Sequence, residues 1–277
     1  MKRIIISDSC LELNDKLKDK LDLIKIPVNL DLGEEYIKDD DNLNIEEFVR
    51  KMHAYKGVPK TAAPSPQAFY DAMQGYDEVF IVSITSKLST TFNSALIAKQ
   101  MLEEDHPEVK VHVFDTKSAV SGETLIAIEI DKLLDEKAPF ETIVDKIEAK
   151  IKSMKTLFVL ENLDNLVKNG RMSKIAGKLA SALSINPLCE ANEGEIQVVS
   201  KARGMKSGLN KLVSYMAEGI DDISSRKIVI SHVLNEARAL DLKQKIKDVY
   251  NAHDIEIVSS SGITAIYANE GGIVVAL

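Results

Sequence analysis

Cysteine is scarce in this chain of 277 residues: Cys10 and Cys189 lie far apart in apolar neighbourhoods, with no second cysteine at metal-ligand spacing. That excludes a disulfide-stapled scaffold and a zinc knuckle, and predicts two buried free thiols. Long hydrophobic runs are missing too. No stretch approaches the length needed to cross a bilayer, and Asp8 cuts the opening run Ile4-Ile5-Ile6 too early for a signal-peptide core. The five histidines are dispersed, without HExxH or an HxH pair beside acids, so the motifs of a catalytic metal are absent.

Nucleotide and hydrolase signatures also fail. Gly170 to Lys178 has the wrong glycine spacing for a phosphate loop, and Leu179 stands where Ser or Thr would hold magnesium. Gly204-Met205-Lys206-Ser207-Gly208 displaces the serine of a nucleophile elbow by one place, and Ser224-Ser225-Arg226-Lys227 has an SxxK spacing without its companion motifs. A net charge of −8 disfavours nucleic acid and anionic membranes. What remains, 45% hydrophobic and 28% charged residues, suits a soluble, cytoplasmic protein with enough apolar residues for two cores.

Strand-like runs at Ile4–Ile6, Ile24–Leu32, Val79–Ile84 and Val109–Phe114 alternate with helical patterns near Glu46–Tyr55, Pro66–Met73, Phe92–Glu104 and Leu125–Leu134. Such alternation predicts an N-terminal parallel sheet flanked by helices. A helical stretch, Phe140 to Lys152, precedes a boundary that we place between residues 155 and 156. Beyond it, Asn186–Glu190 pairs with Ile196–Val199 around Asn192-Glu193-Gly194, followed by strands at Ile228–His232, Glu256–Ser259 and the C-terminus, an α+β sandwich. The fold class is thus α/β in two domains, 1–155 and 156–277. The acidic run Asp39-Asp40-Asp41-Asn42 reads as a solvated loop, since it lacks the glycine and terminal glutamate of a calcium loop.

Loops after parallel strands are where ligands bind, and three here are rich in hydroxyls: Ser7-Asp8-Ser9, Ser83 to Thr91, and Asp115 to Ser118. The second leads into a helix, where unpaired backbone N–H groups gather. Ser89 and Thr90 are placed to cap that helix; Ser94, one turn inside, has no capping task and leans towards function. Thr61 sits in a proline-fixed loop before a helix capped by Ser65, with Pro66 at its first position. Arg171 follows Gly170 at the end of a short helix and brings a planar cation towards the same anion, a carboxylate or phosphate. Ile175, Leu179 and Leu183, at helical spacing, serve as domain core or as one wall of an apolar tunnel.

In the order and spacing of its motifs the chain resembles the DegV family of bacterial fatty-acid-binding proteins, nearly end to end. The matches are Ser7-Asp8-Ser9, Pro59-Lys60-Thr61 with Pro64-Ser65, Ser86-Lys87-Leu88-Ser89 with Asn93-Ser94-Ala95, Asp115-Thr116, Asn162-Leu163, Leu166-Val167-Lys168, Gly170-Arg171, Ser173, and Arg203-Gly204 with Lys206. The resemblance implies a non-enzymatic carrier that encloses a long-chain fatty acid in a tunnel between its domains. It also implies presentation of the carboxyl group to a separate fatty acid kinase, which makes an acyl phosphate for phospholipid synthesis. No cofactor is implied beyond the fatty acid itself. The carboxylate is then held by hydroxyls matching Thr61, Ser89 or Ser94, with Arg171 near the head group.

Three departures from the family pattern bear on that site. Ala62-Ala63 stand where a Ser-Gln pair is usual, and Thr90 stands where glycine is usual, which predicts a narrower head-group pocket. A usual His-x-Gly-Pro-Gly loop is Tyr267-Ala268-Asn269-Glu270-Gly271; Tyr267 offers a substitute hydroxyl, while Glu270, if it faces the pocket, repels a carboxylate. Two other classes of function stay open on the residues alone. One is an enzyme acting on an activated acyl or phosphorylated small molecule, with Ser89 or Ser94 as nucleophile. The other is a lipid-sensing regulatory module that contacts a partner through the basic turn Lys201 to Lys206.

Overall fold

A computed structural model describes residues 1–173 and 185–277. Along the first part run β1 (Arg3–Asp8), α1 (Asp15–Lys20), β2 (Leu23–Ile26), β3 (Asn29–Asp31), β4 (Tyr36–Lys38), α2 (Ile45–Ala54), β5 (Lys60–Ala62) and α3 (Pro66–Met73). There follow β6 (Glu78–Ser83), α4 (Thr91–Asp105), β7 (Lys110–Asp115), α5 (Ser121–Asp135) and α6 (Phe140–Ser153). The rest comprises β8 (Thr156–Val159), α7 (Asp164–Lys168), β9 (Leu188–Asn192), β10 (Glu195–Ser200), α8 (Met205–Met216), β11 (Ile228–His232), α9 (Glu236–Tyr250), β12 (Ile255–Ser259), α10 (Gly262–Ala268) and β13 (Ile273–Ala276).

The expected parallel sheet is present, in the order β2-β1-β6-β7. Its central strands, β1 and β6, are buried on both faces, which is why they read as unbroken apolar runs rather than alternating ones. Ile4, Ile6, Val79 and Ile81 face α3 and α4, while Ile5, Phe80 and Val82 face α5 and α6. The run 24–32 is not one strand. Pro27 has no N–H to donate to a ladder, so β2 ends at Ile26 and the chain leaves the sheet. β3 then pairs antiparallel with β4 and β5 in a separate three-stranded sheet.

The later strands form one mixed sheet, β10-β9-β8-β13-β11-β12, antiparallel except for β11 beside β12. One of its faces carries α8 and α9. Part of the other face is covered by α5, which shares a single core with Ile5, Phe80 and Val82 of the parallel sheet and Val229, Val258 and Ala276 of the mixed one. The layers therefore run helix, sheet, helix, sheet, helix, with α5 common to both sheets. The β9–β10 hairpin turns on Glu193 and Gly194, both at positive φ as a two-residue hairpin demands. Ion pairs from Lys117 to Glu193 and from Lys87 to Glu195 hold its tip against the loops after β7 and β6.

Being in contact on two sides, α5 is buried over most of its length, Glu123 and Thr124 included. Its few polar groups are spent on fixing its place: Thr124 Oγ1 bonds the backbone of Glu12 in both directions, and Ser121 Oγ donates to the Val274 carbonyl. At Gly122 the approach is so close that a Cβ would lie 2.6 Å from Ser118 Cβ. Ser118 cannot swing away cheaply, because its hydroxyl is 2.7 Å from Thr156 Oγ1. Gly122→Ala is accordingly expected to destabilise the chain by about 1–3 kcal/mol, read from the shift in urea midpoint. An unchanged midpoint contradicts this account of α5.

Candidate functional site

The strip of the mixed sheet beside α5 floors an open-sided cavity, about 830 Å³ of empty space when the open solvent at its mouth is included. Phe158, Val274, Ala191 and Ile196 point up from the mixed sheet, and Ile84, Leu88, Ala119 and Val120 close over them from the loops after β6 and β7. Ile263, Thr264, Tyr267 and Ala268 of α10 form a side wall. The two loops reach this place because parallel strands deliver their carboxyl ends to one edge of the sheet. Among the described lining residues Arg171 is the one charged side chain.

Four of the sequence-predicted residues meet there: Thr61, Ser89, Arg171 and Tyr267 all line the cavity, and all are half-buried. Thr61 belongs to strand β5 rather than to a loop, and its Oγ1 lies 3.0 Å from the Tyr267 hydroxyl. The Arg171 guanidinium sits over the Tyr267 ring at 5.8 Å, within cation–π range. Arg171 Nε donates to the Leu88 carbonyl at 3.2 Å and Nη1 to that of Asn169 at 2.6 Å. Gly170, at φ +73, ends α7 and turns the chain so that Arg171 N–H closes on the Leu166 carbonyl. Ser89 Oγ accepts from Thr91 N at 3.2 Å and lies 2.8 Å from Thr91 Oγ1, a hydroxyl and not a base. Ser94 is not brought into the group: it lies one turn inside α4, half-buried, and does not line the cavity.

Several expectations are corrected. Thr90 is exposed, with φ −82, so no left-handed conformation is asked of it and its side chain does not narrow the pocket. Glu270 is exposed and lines no part of the cavity. Ile175, Leu179 and Leu183 lie outside the described residues. Cys10 and Cys189 are buried free thiols as expected, with Cys10 against the cavity. The asparagines of α7 are struts that side-chain type alone does not announce: Asn165 Nδ2 donates to the Ile266 carbonyl and Asn169 Nδ2 to that of Pro59. They tie the Arg171 turn to α10 and to the chain entering β5.

The largest correction concerns the acidic run. Asp39 is buried rather than solvated, and its carboxylate accepts from Gly262 N at 2.7 Å, Ile263 N at 3.0 Å and Ser9 Oγ at 2.9 Å. It supplies partners for the first N–H groups of α10, the helix that carries Tyr267. Glu12 accepts beside it from Ser261 N at 2.9 Å and from the Ser231 hydroxyl. Burial pushes the carboxyl of Asp39 above its ordinary range and that of Glu12 up to about 7, against the hydrogen bonds that favour the charged form. A run of aspartates predicts solvation only when none of them has such a partner, and that partner lies more than 200 positions further along the chain.

A DegV family model, described as that of an uncharacterised protein family, matches residues 2–277. A DegV domain-containing protein of Streptococcus pyogenes serotype M3 is 33% identical over 272 residues, 97% of this chain and 96% of that protein. Among solved structures, a DegV family protein from Ruminococcus gnavus, determined with vaccenic acid, superposes with a TM-score of 0.95 at 33% identity, covering 99% of each chain. The Streptococcus pneumoniae Fatty Acid Kinase (Fak) B3 protein, loaded with linoleic acid, superposes with a TM-score of 0.93 at 31% identity, covering 100% of this chain and 99% of that one.

Removing the Asp39 carboxylate leaves two N–H groups of α10 without partners. Asp39→Ala is expected to cost about 2–3 kcal/mol in stability and to speed hydrogen exchange at Gly262 and Ile263 before it does so in the parallel sheet. Unaltered exchange at those two amides refutes the anchoring role.

Proposed function

Because the chain belongs to the DegV family, we propose that it binds one long-chain fatty acid in the cavity between its N-terminal domain, residues 1–155, and its C-terminal domain, residues 156–277. The observation that carries this is that, among the described lining residues, one cationic side chain is paired with an otherwise uncharged, mostly apolar lining. A single carboxylate balances that charge, and a hydrocarbon chain satisfies the rest. Burying the chain contributes about 0.8 kcal/mol per methylene, so affinity comes mainly from the apolar walls. The polar end orients the ligand: the hydroxyls of Thr61, Tyr267 and Ser89 donate to the carboxylate and Arg171 supplies the charge, each such bond contributing about 1.5–3 kcal/mol. Ser94 joins this set only by a local shift of the α4 start.

In this reading the protein is a carrier rather than an enzyme and needs no cofactor. Support comes from Ser89, whose hydrogen-bond partner is a hydroxyl, and from the R. gnavus and S. pneumoniae structures, which hold fatty acids. We further propose that the carboxyl group, at the half-exposed Thr61–Arg171 end, is presented to a separate fatty acid kinase; the kinase name of the S. pneumoniae neighbour supports this.

Protein expressed in bacteria and then denatured is expected to release about one fatty acid per chain, identified by mass spectrometry. An empty protein that also fails to take up added oleate sinks the proposal. Arg171→Gln is expected to weaken oleate binding by about tenfold to a hundredfold. Tyr267→Phe, which keeps the ring under Arg171 and deletes the hydroxyl, is expected to weaken it less, by about threefold to tenfold. Equal affinity in both variants and the parent places the carboxylate elsewhere. With a fatty acid kinase and ATP, acyl phosphate should form on the loaded protein; none forming removes the kinase step while leaving the carrier.

A further inference from the structure

A second group of side chains lies behind the cavity wall and takes no part in holding the proposed head group. Asp8 ends β1, Cys10 sits in the turn that follows, and Glu123 is in the first turn of α5. One ligand atom from each lies within 4.8 Å of those of the other two, and all three residues are buried. The Asp8 carboxylate accepts from Cys10 N at 2.9 Å and Ile84 N at 3.2 Å, one N–H to each oxygen. Glu123 gives one oxygen, Oε1, to Val120 N at 3.3 Å. Its other oxygen, Oε2, is buried with no nitrogen or oxygen donor in reach, the Cys10 thiol being the side chain that faces the carboxyl group, and the residue is 0% exposed. Among the described residues neither Asp8 nor Glu123 has a cation within ion-pair distance. A fully buried carboxylate oxygen without a partner costs free energy, and an ion is one of the few things that relieves it.

We propose that Asp8, Cys10 and Glu123 form a three-ligand site for a divalent metal ion of zinc type, with the fourth coordination position turned towards the cavity that Cys10 lines. A thiolate with two carboxylates is a donor set for zinc or cobalt rather than for magnesium or calcium, which take oxygen alone. Tetrahedral zinc with bonds of about 2.0–2.3 Å sets its ligand atoms about 3.3–3.6 Å apart, so with all three atoms within 4.8 Å of one another no pair has to close by more than about 1.5 Å. The cavity supplies the way in. A thiol and two carboxyl groups must shed their protons to bind a metal, so binding releases protons and affinity rises with pH.

Cobalt(II) titrated into the metal-free full-length chain tests this. One cobalt per chain is expected, with a thiolate-to-cobalt band in the near ultraviolet that added zinc abolishes and that grows as the pH is raised. Cys189→Ser should keep the band, Cys10→Ser should lose it, and Glu123→Gln should weaken binding at least about tenfold. The proposal is overturned by no stoichiometric uptake, by a band that follows Cys189, or by unchanged affinity in Glu123→Gln, in which case Glu123 is a buried neutral acid. Should the Cys10 and Glu123 variants fail to fold, the parent and Cys189→Ser still decide: a band in both sustains the site, and a band in neither removes it.

Discussion

The structure depends on one helix having no solvent face to spare. By packing against the parallel sheet on one side and the mixed sheet on the other, α5 joins two cores into one and fixes how far apart the sheets stand. Its approach is set by Gly122 against Ser118 and by the paired bonds between Thr124 and Glu12. Once α5 has covered part of the mixed sheet, the remaining strip beneath β8, β9, β10 and β13 is left for the loops after β6 and β7 and for α10 to roof over. The cavity is the space those roof elements do not fill. Val120, which joins the β7 loop to α5, takes φ +58, a conformation unfavourable to a β-branched residue, and it lines the cavity. Backbone strain is thus concentrated where the helix and the cavity wall share a residue.

The polar end is organised by long-range tethers rather than by local sequence. Asp39 and Glu12, from the first fifth of the chain, hold the start of α10 near its end. Asn165 and Asn169 hold the Arg171 turn against α10 and the approach to β5. Each hydroxyl or guanidinium at the cavity end therefore sits on an element anchored from elsewhere, which keeps a small polar group in register with a large apolar chamber.

How much of this the sequence discloses follows from the range of the interactions. Period and punctuation are local, so the four parallel strands, the Ser65 cap with Pro66, and the Glu193-Gly194 hairpin are legible in short windows. Even Pro27, which splits the run 24–32, is visible once its missing N–H is weighed against an unbroken ladder. Asp39 is not legible in this way, because an aspartate next to two others looks solvated until its backbone partners at Gly262 and Ile263 are known. Ser94 is a different case: lack of a capping task leaves a hydroxyl unexplained without placing it in a cavity, and it stands one turn inside α4, off the lining. The gathering of Asp8, Cys10 and Glu123 is likewise hidden, since 113 positions separate Cys10 from Glu123 and spacing rules reach only across a turn or a hairpin.

The chamber has no owner among the secondary-structure elements. Its floor, roof, side wall and polar end come from a mixed sheet, the loops after β1, β6 and β7, α10, α7 with the turn that follows it, and a three-stranded appendage, contributed by segments from Cys10 to Val274. Such a seam cannot be transplanted as a motif, nor inherited by exchanging one half of the molecule for another. Divergence among proteins built this way should accordingly proceed by scattered small changes in wall residues under a constant frame, so that two chains alike in every strand can differ in what they hold.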